Sequence, residues 1–297
     1  MSSSGGGGIQ NSYGSRLEVL NSSILNNTSG FLGGGLGNDS MASLSGVTVS
    51  GNSTSHKGGG ISNEGVLTVT GATLSGNTAT LEGGGLFNDN PAVLTNVTIV
   101  GNQAGTSGGG IQTYRGLQLS SSTVTGNYAT SNGGVYNANS NGLSSISNSI
   151  LAGNSDVDSQ TDPMANPDLN GPENAGAGTN LIGHGSGYAV ADIFAEVDPV
   201  TGGGLLADNG GQVQTVALKA SFDNPAFNTA DPAFLPADTL DLDGDGDTTE
   251  PVPFDGRGSG FARNNGGFAD LGAYELPSAL IVTTDQDVVD ATDGLLS

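Results

Sequence analysis

The sequence predicts an all-β fold, a right-handed parallel β-helix (solenoid) with coils of about 25 residues and a loop-rich C-terminal capping region. Three observations predict it. The phrase GGG followed by an aliphatic residue recurs at Ile9, Leu36, Ile61, Leu86 and Ile111, with a degenerate copy at Val135. A second phrase, roughly T-aliphatic-x-Gly-Asn, ends at Asn27, Asn52, Asn77, Asn102, Asn127 and Asn154 and keeps the same period. Within each unit apolar and polar residues alternate, which is the period of a strand and not of a helix.

Residues 1–154 are the β-helix repeats. Three further columns of apolar residues are expected to point inward with the GGG-aliphatic position. These are Ile24, Val49, Leu74, Ile99, Val124 and Ile150; Val19, Leu44, Val69, Leu94 and Leu119; and Leu17, Ala42, Leu67, Ala92, Leu117 and Leu143. Each coil then holds three short strands joined by tight Gly/Asn corners. Leucine-rich repeats share the length but need a Leu-x-x-Leu-x-Leu frame that is missing here. Strands stacked at roughly 4.8 Å make six coils about 29 Å tall. Asn11, Asn38, Asn63, Asn88 and Asn137, interrupted by Thr113, are expected to form an amide ladder. The GGG runs lack the Lys-Ser/Thr of a phosphate loop and recur once per coil, so they are read as corners.

Composition narrows the function classes. The chain has 297 residues, 52 glycines, no cysteine or tryptophan, six Lys+Arg and a formal charge of -23. Such a field repels nucleic acid, whose recognition needs clustered Lys and Arg, and it repels anionic membranes. No apolar run is long enough for a membrane span, and no basic-then-apolar signal peptide opens the chain, so Met1 is expected to begin an excised segment. The absence of cysteine is compatible with an exported bacterial protein that uses calcium where others use disulfides.

Residues 155–179 are a loop-rich connection, dense in Asp, Asn, Pro and Gly. The clearest chemical constellation follows, Asp241-Leu-Asp243-Gly-Asp245-Gly-Asp247 with Glu250. Carboxylates at every second position of a glycine-rich loop suit Ca2+, a hard cation that takes oxygen ligands. Counting Asp241 as the first position puts Val252 where an EF-hand needs its glutamate, and Pro236 and Pro251 oppose the flanking helices, so a non-EF calcium loop is expected. Asp192, Glu196 and Asp198 read as solvated surface. Arg257 and Arg263 are expected to be buried against Asp270 or Glu275, and His56 and His184 to lie alone on the surface.

Three resemblances follow. The GGG-aliphatic and Gly-Asn units, over residues 5 to about 154, resemble the polymorphic outer-membrane-protein and right-handed β-helix repeats of bacterial surface proteins. Asn180-Leu-Ile-Gly183, Leu206-Ala-Asp-Asn-Gly-Gly211, Thr215-Val-Ala-Leu218, Asp255-Gly-Arg-Gly258 and Asp270-Leu-Gly-Ala-Tyr-Glu275 resemble the bacterial choice-of-anchor family Q domain. That family's SPAID element is degraded here to Asp223-Asn-Pro-Ala-Phe227. The second resemblance implies that residues 180–276 complete or cap the β-helix. Residues 277–297 resemble the strand that opens a following repeat unit, ahead of a Ser-Leu-Arg-Glu-Ala motif.

The expected function is a non-catalytic structural or adhesive module of a large extracellular bacterial surface protein. It would be a rigid calcium-stabilised stalk or filament repeat, meeting neighbouring modules or copies of itself through open β-helix ends, with cell-surface glycans or proteins as further partners. A carbohydrate-active β-helix enzyme, a polysaccharide lyase or hydrolase, is the alternative. It is disfavoured because Glu18, Asp39, Glu64, Glu82 and Asp89 do not read as a recurring cluster, because Lys57 and Arg115 read as isolated, and because Tyr13, Tyr114, Tyr128 and Tyr136 offer few platforms. An ice-binding surface is a third reading, from the outward column Thr48, Thr73, Thr98 and Thr123 beside Ser50, Ser75 and Thr125; Val100 breaks the second column.

Overall fold

Alternation in the sequence becomes inward and outward columns in the computed structural model, which describes residues 5–138, 144–157, 166–171, 178–264 and 268–277. Equivalent strands of successive coils pair in parallel and build four faces. The first face runs in seven strands from Ile9–Asn11 to Leu169–Asn170, and the second in six from Arg16–Leu20 to Ser145–Ser147. The third runs in seven from Ser23–Leu25 to Leu181–Ile182, and the fourth in six from Thr28–Ser29 to Ser155–Asp156. A coil therefore holds four strands where three were expected. The extra strand is two residues long and built from small or polar residues such as Thr78–Ala79, so it carries no apolar alternation. Parallel pairing also continues past Asn154, where the sequence phrases stop, through Leu169–Asn170 and Leu181–Ile182.

Inward residues fill the solenoid without gaps in register. Ile61 pairs Leu36 and Leu86, Val69 pairs Leu44 and Leu94, and Leu74 pairs Val49 and Ile99. Each is at most 1% exposed, and burying one such side chain contributes about 1.5–3 kcal/mol. One expected column needs correction. Val124 pairs Leu151, whereas Ile150 pairs Thr123 and faces outward. The step from Asn127 to Asn154 is 27 residues, and the same step carries Val124 to Leu151. Leu143 lies outside the described residues; Ser144 Oγ instead accepts from Leu117 N at 3.4 Å.

The corners need left-handed backbone, and three columns supply it. Gly51, Gly76, Gly101, Gly126 and Gly153 form one, at φ between 54° and 75° once Asn26 is included, because glycine has no Cβ to clash there. In the GGG runs before Leu36, Ile61, Leu86 and Ile111 the first glycine is left-handed, as Gly58 is at φ 71°. The second is fixed by coil spacing, since a Cβ on Gly59 would stand 2.5 Å from Gly84 O.

Two amide ladders run along the interior. The expected one donates from Asn11 to Asn38, Asn63, Asn88 and then Thr113 Oγ1, at 2.7, 2.7, 2.8 and 3.0 Å. The Gly-Asn phrase makes the second. Asn27, Asn52, Asn77, Asn102, Asn127 and Asn154 each donate Nδ2 to the next, and Asn154 donates to Asp168 Oδ1 at 2.9 Å. Every amide dipole in it points the same way, so its positive end meets the Asp168 carboxylate. Burial nonetheless pushes the Asp168 carboxyl up, against the hydrogen bonds from Asn154 and the His184 main chain.

From about residue 183 the chain returns along the flank of the solenoid as an irregular strap. Its secondary structure among the described residues is a short helix Val190–Ile193, a 3-10 turn Pro232–Phe234 and one antiparallel pair, Leu206–Ala207 with Thr215–Val216. Ile150, Val100, Phe194, Val216, Leu218 and Leu271 form a second apolar cluster between strap and third face. Hydrogen bonds close the seam. Gly204 N donates to Thr125 Oγ1, Ala273 N to Thr123 Oγ1, and Asn148 exchanges two bonds with Asp231. The outward threonine column is thereby covered. Thr73, Thr98 and Thr123 are each 1% exposed and Thr48 is half-buried, so among the described residues this column offers no flat exposed face of the kind ice binding requires.

Candidate metal centre

The acidic loop sits in the strap between two short connections. Ala237 bridges Pro251, Asp238 N donates to Glu250 O, and Val252 N donates to Pro236 O, so the two ends of the loop are held side by side. Glycines at 244 and 246, at φ 78° and 89°, curl the chain between them, and Asp241 itself is left-handed at φ 50°. The curl turns alternate carboxylates inward. Asp241, Asp243 and Asp245 offer oxygens within 4.8 Å of one another, and so do Asp238, Asp243 and Glu250.

Asp238 is the residue that sequence reasoning missed. It is 1% exposed; its Oδ2 accepts from Leu242 N at 2.7 Å, while its Oδ1 has no partner. Glu250 Oε1 is likewise buried and unpartnered. The loop motif names only Asp241 onward, and Asp238 stands outside that alternation. Asp247 goes the other way, since its Oδ1 accepts from both Thr249 N and Thr249 Oγ1, at 2.8 and 2.7 Å. Those bonds hold the Asp247 carboxyl below the usual range.

A divalent cation fits this donor set. Calcium–oxygen distances of about 2.4 Å place opposed ligands about 4.8 Å apart, and an all-carboxylate set suits a hard ion. Desolvation, followed by the charges of Asp245, Asp243, Asp247 and Asp238, pushes the Glu250 carboxyl up. A cation would relieve that repulsion and supply the partner that Asp238 Oδ1 and Glu250 Oε1 lack.

The other singled-out groups fall into three settings. Arg257 pairs with Asp255, not with Asp270 or Glu275, at 2.7 Å, and lies between the rings of Phe261 and Tyr274 at 4.2 and 4.0 Å. Its Nη2 also donates to the Glu275 main-chain oxygen, while Arg263 Nη2 donates to that of Asp270. Burial pushes Glu275 up to about 8, with the Asp270 charge adding to it. Asp192, Glu196 and Asp198 stay at the strap surface, as expected.

The coils hold the third setting, where the sequence reading needs correction. Asp39, Glu64 and Asp89 do recur, at 25-residue steps, and their main-chain N–H groups donate to Asn11, Asn38 and Asn63 in the same way. Lys57 is not isolated, because it pairs with Glu82 at 2.9 Å, and Arg115 lies 3.9 Å from Asp89. His56 is not alone either, since its ring stacks on Phe31 at 4.7 Å.

One coil decides what the repeat is similar to. Residues 46–64 match the Chlamydia polymorphic membrane protein repeat. The match holds both recurring phrases, Gly51-Asn52 and Gly58-Gly-Gly-Ile61. The matched residues run from the corner before the third face to just past the next first-face strand, and so span three of the four strands of a coil. No curated protein and no solved structure matches the chain. Among the described residues no helix is long and apolar enough to cross a membrane.

Proposed function

We propose that the chain is a non-catalytic structural module of a bacterial surface protein, a rigid β-solenoid whose strap is fastened by a calcium ion. The observation that carries the surface reading is the polymorphic membrane protein repeat in register with five further coils that share its phrases. Surface placement of that repeat, the charge of -23 and the lack of cysteine agree with an extracellular setting. The fastening role rests on the unpartnered oxygens of Asp238 and Glu250, which Asp243 joins in one triad and links to a second triad with Asp241 and Asp245.

Rigidity follows from construction. Each coil is bound to the next by four parallel ladders and two amide columns, so bending requires several hydrogen bonds to break together. The first-coil strands Ile9–Asn11, Arg16–Leu20, Ser23–Leu25 and Thr28–Ser29 each pair on one side only among the described residues. Free strand edges of this kind support head-to-tail stacking with another module. The expected strand of residues 277–297, which would supply the other half of such a contact, lies outside the described residues except for Pro277.

Protease treatment of intact source cells tests the surface reading. Loss of the full-length chain from intact cells, with a cytoplasmic control preserved, is expected; full protection in intact cells and cleavage after lysis would refute it.

A further inference from the structure

We propose that the buried cluster of Asp255, Arg257, Arg263, Asp270 and Glu275 is a proton-held clasp, which closes the strap on the third face while Glu275 keeps its proton and loosens it when that proton leaves. The proposal goes beyond the structural role, and the clasp uses none of the cation loop's residues.

The balance of charge in a dry seam is what requires a proton. All five residues are at most 5% exposed, and they set three carboxyls against two guanidinium groups. Arg257 is taken up by Asp255, whose oxygens also accept from Arg257 N and Glu275 N. Arg263 is then the cation left for Asp270 and Glu275. It hydrogen-bonds to neither carboxylate among the described residues, because its Nη2 donates to the Asp270 main-chain oxygen while Nε and Nη1 are buried without a partner. Asp270 is the better served of the two, accepting from Asn228 N and Leu276 N at 2.7 Å each, whereas Glu275 accepts from Asp270 N alone, at 2.8 Å, among the described residues. A buried carboxyl with one donor and a shared counter-charge is the one that keeps its proton. Burial, followed by the Asp270 charge, pushes Glu275 up to about 8, in line with that assignment.

The cluster sits where the strap is fastened. Gly256 N donates to Ala273 O, which joins the two strap segments that carry it. Those segments meet the coils where Gly272 N donates to Asn148 O, Ala273 N donates to Thr123 Oγ1 and Phe254 O accepts from Asn96 Nδ2. The coil residues at these contacts do not titrate. The charged groups facing Glu275 are therefore Asp255, Arg257, Arg263 and Asp270, with the Tyr274 ring laid over Arg257. When Glu275 ionises, the seam holds an excess negative charge that its low dielectric leaves unscreened, and entry of water between residues 254–257 and 270–276 relieves it. Because the closed-state value lies above the ordinary 4.5, closure is strongest below about 4.5, weakens as pH rises and levels off above about 8.

Hydrogen exchange on the intact chain in calcium-containing buffer, at about pH 6.5 and about pH 8.5 and corrected for the intrinsic exchange rate, tests the clasp. Protection of the amides of residues 270–276 is expected to fall at least tenfold between the two conditions, while protection of the coil strands between residues 61 and 104 holds. Glu275→Gln keeps an acceptor for Asp270 N and carries no charge, so its strap should show no such fall. Glu196→Gln, at the strap surface, should show the same fall as the parent. The proposal is overturned if residues 270–276 of the parent keep their protection at the higher pH, or if the coils lose as much as the strap. It is overturned equally if Glu275→Gln shows the parent's fall or Glu196→Gln removes it. The parent's profile decides the first two outcomes without any variant.

Discussion

Asp238 and Asp247 lie at either end of the acidic loop and make opposite predictions. Asp238 Oδ1 is buried without a partner, whereas Asp247 is satisfied by Thr249. Asp238→Asn should therefore abolish calcium-dependent stabilisation, while Asp247→Asn should leave most of it, as read by melting with and without calcium. Because protons compete with the ion for Glu250, whose carboxyl is pushed up, the calcium effect should fade as pH drops through the carboxylate range. Glu275 carries the opposite linkage. Its folded-state value of about 8 lies above the ordinary glutamate value of 4.5, so the fold binds more protons than the unfolded chain between those values. Stability from this group is complete below about 4.5, falls as pH rises and is lost above about 8. Glu275→Gln should flatten the decline in urea midpoint between these limits; an unchanged slope would show that other groups set it.

The ladders and corners decide stability at the scale of a coil. Asn77 accepts from Asn52 N and Nδ2 and donates to Val49 O and Asn102 Oδ1, all buried. Asn77→Ala strands several polar groups at about 1–3 kcal/mol each, so a loss of on the order of 3 kcal/mol is expected in urea unfolding. Asn27, at the partly exposed end of the same ladder, should cost less. Gly59→Ala should cost at least as much as Asn77→Ala, because its Cβ would meet the backbone of the neighbouring coil.

Much of this scale was legible in the sequence, since inward columns follow the period directly. Ile150 was misplaced because a two-residue insertion in the last unit shifted the register to Leu151. The fourth strand escaped notice because two small residues carry no periodic signal. The recurrence of Asp39, Glu64 and Asp89 keeps the period of the coil but mixes Asp with Glu, so it carries no fixed residue phrase.

For the whole molecule, long-range packing sets what the sequence could not disclose. The outward threonines look like any exposed strand until the strap covers them, and Asp238 joins the acidic cluster only when the loop's two ends are held together. The strap joins the coils through the Thr123, Thr125 and Asn148 contacts, and the acidic loop is one of its turns. Fastening the loop should therefore stabilise the strap against protease before it stabilises the coils. Limited proteolysis should give first cuts between residues 236 and 252 without calcium and slower cutting there with it.

The most direct test of the cation-fastened solenoid is the melting temperature of the intact chain in excess calcium and in chelator. Saturation at 100 times the dissociation constant contributes about 2.7 kcal/mol, which corresponds to a rise of about 5 °C for a chain of this size. The account predicts that rise, and predicts its loss in Asp238→Asn. Identical melting temperatures in calcium and in chelator would contradict it.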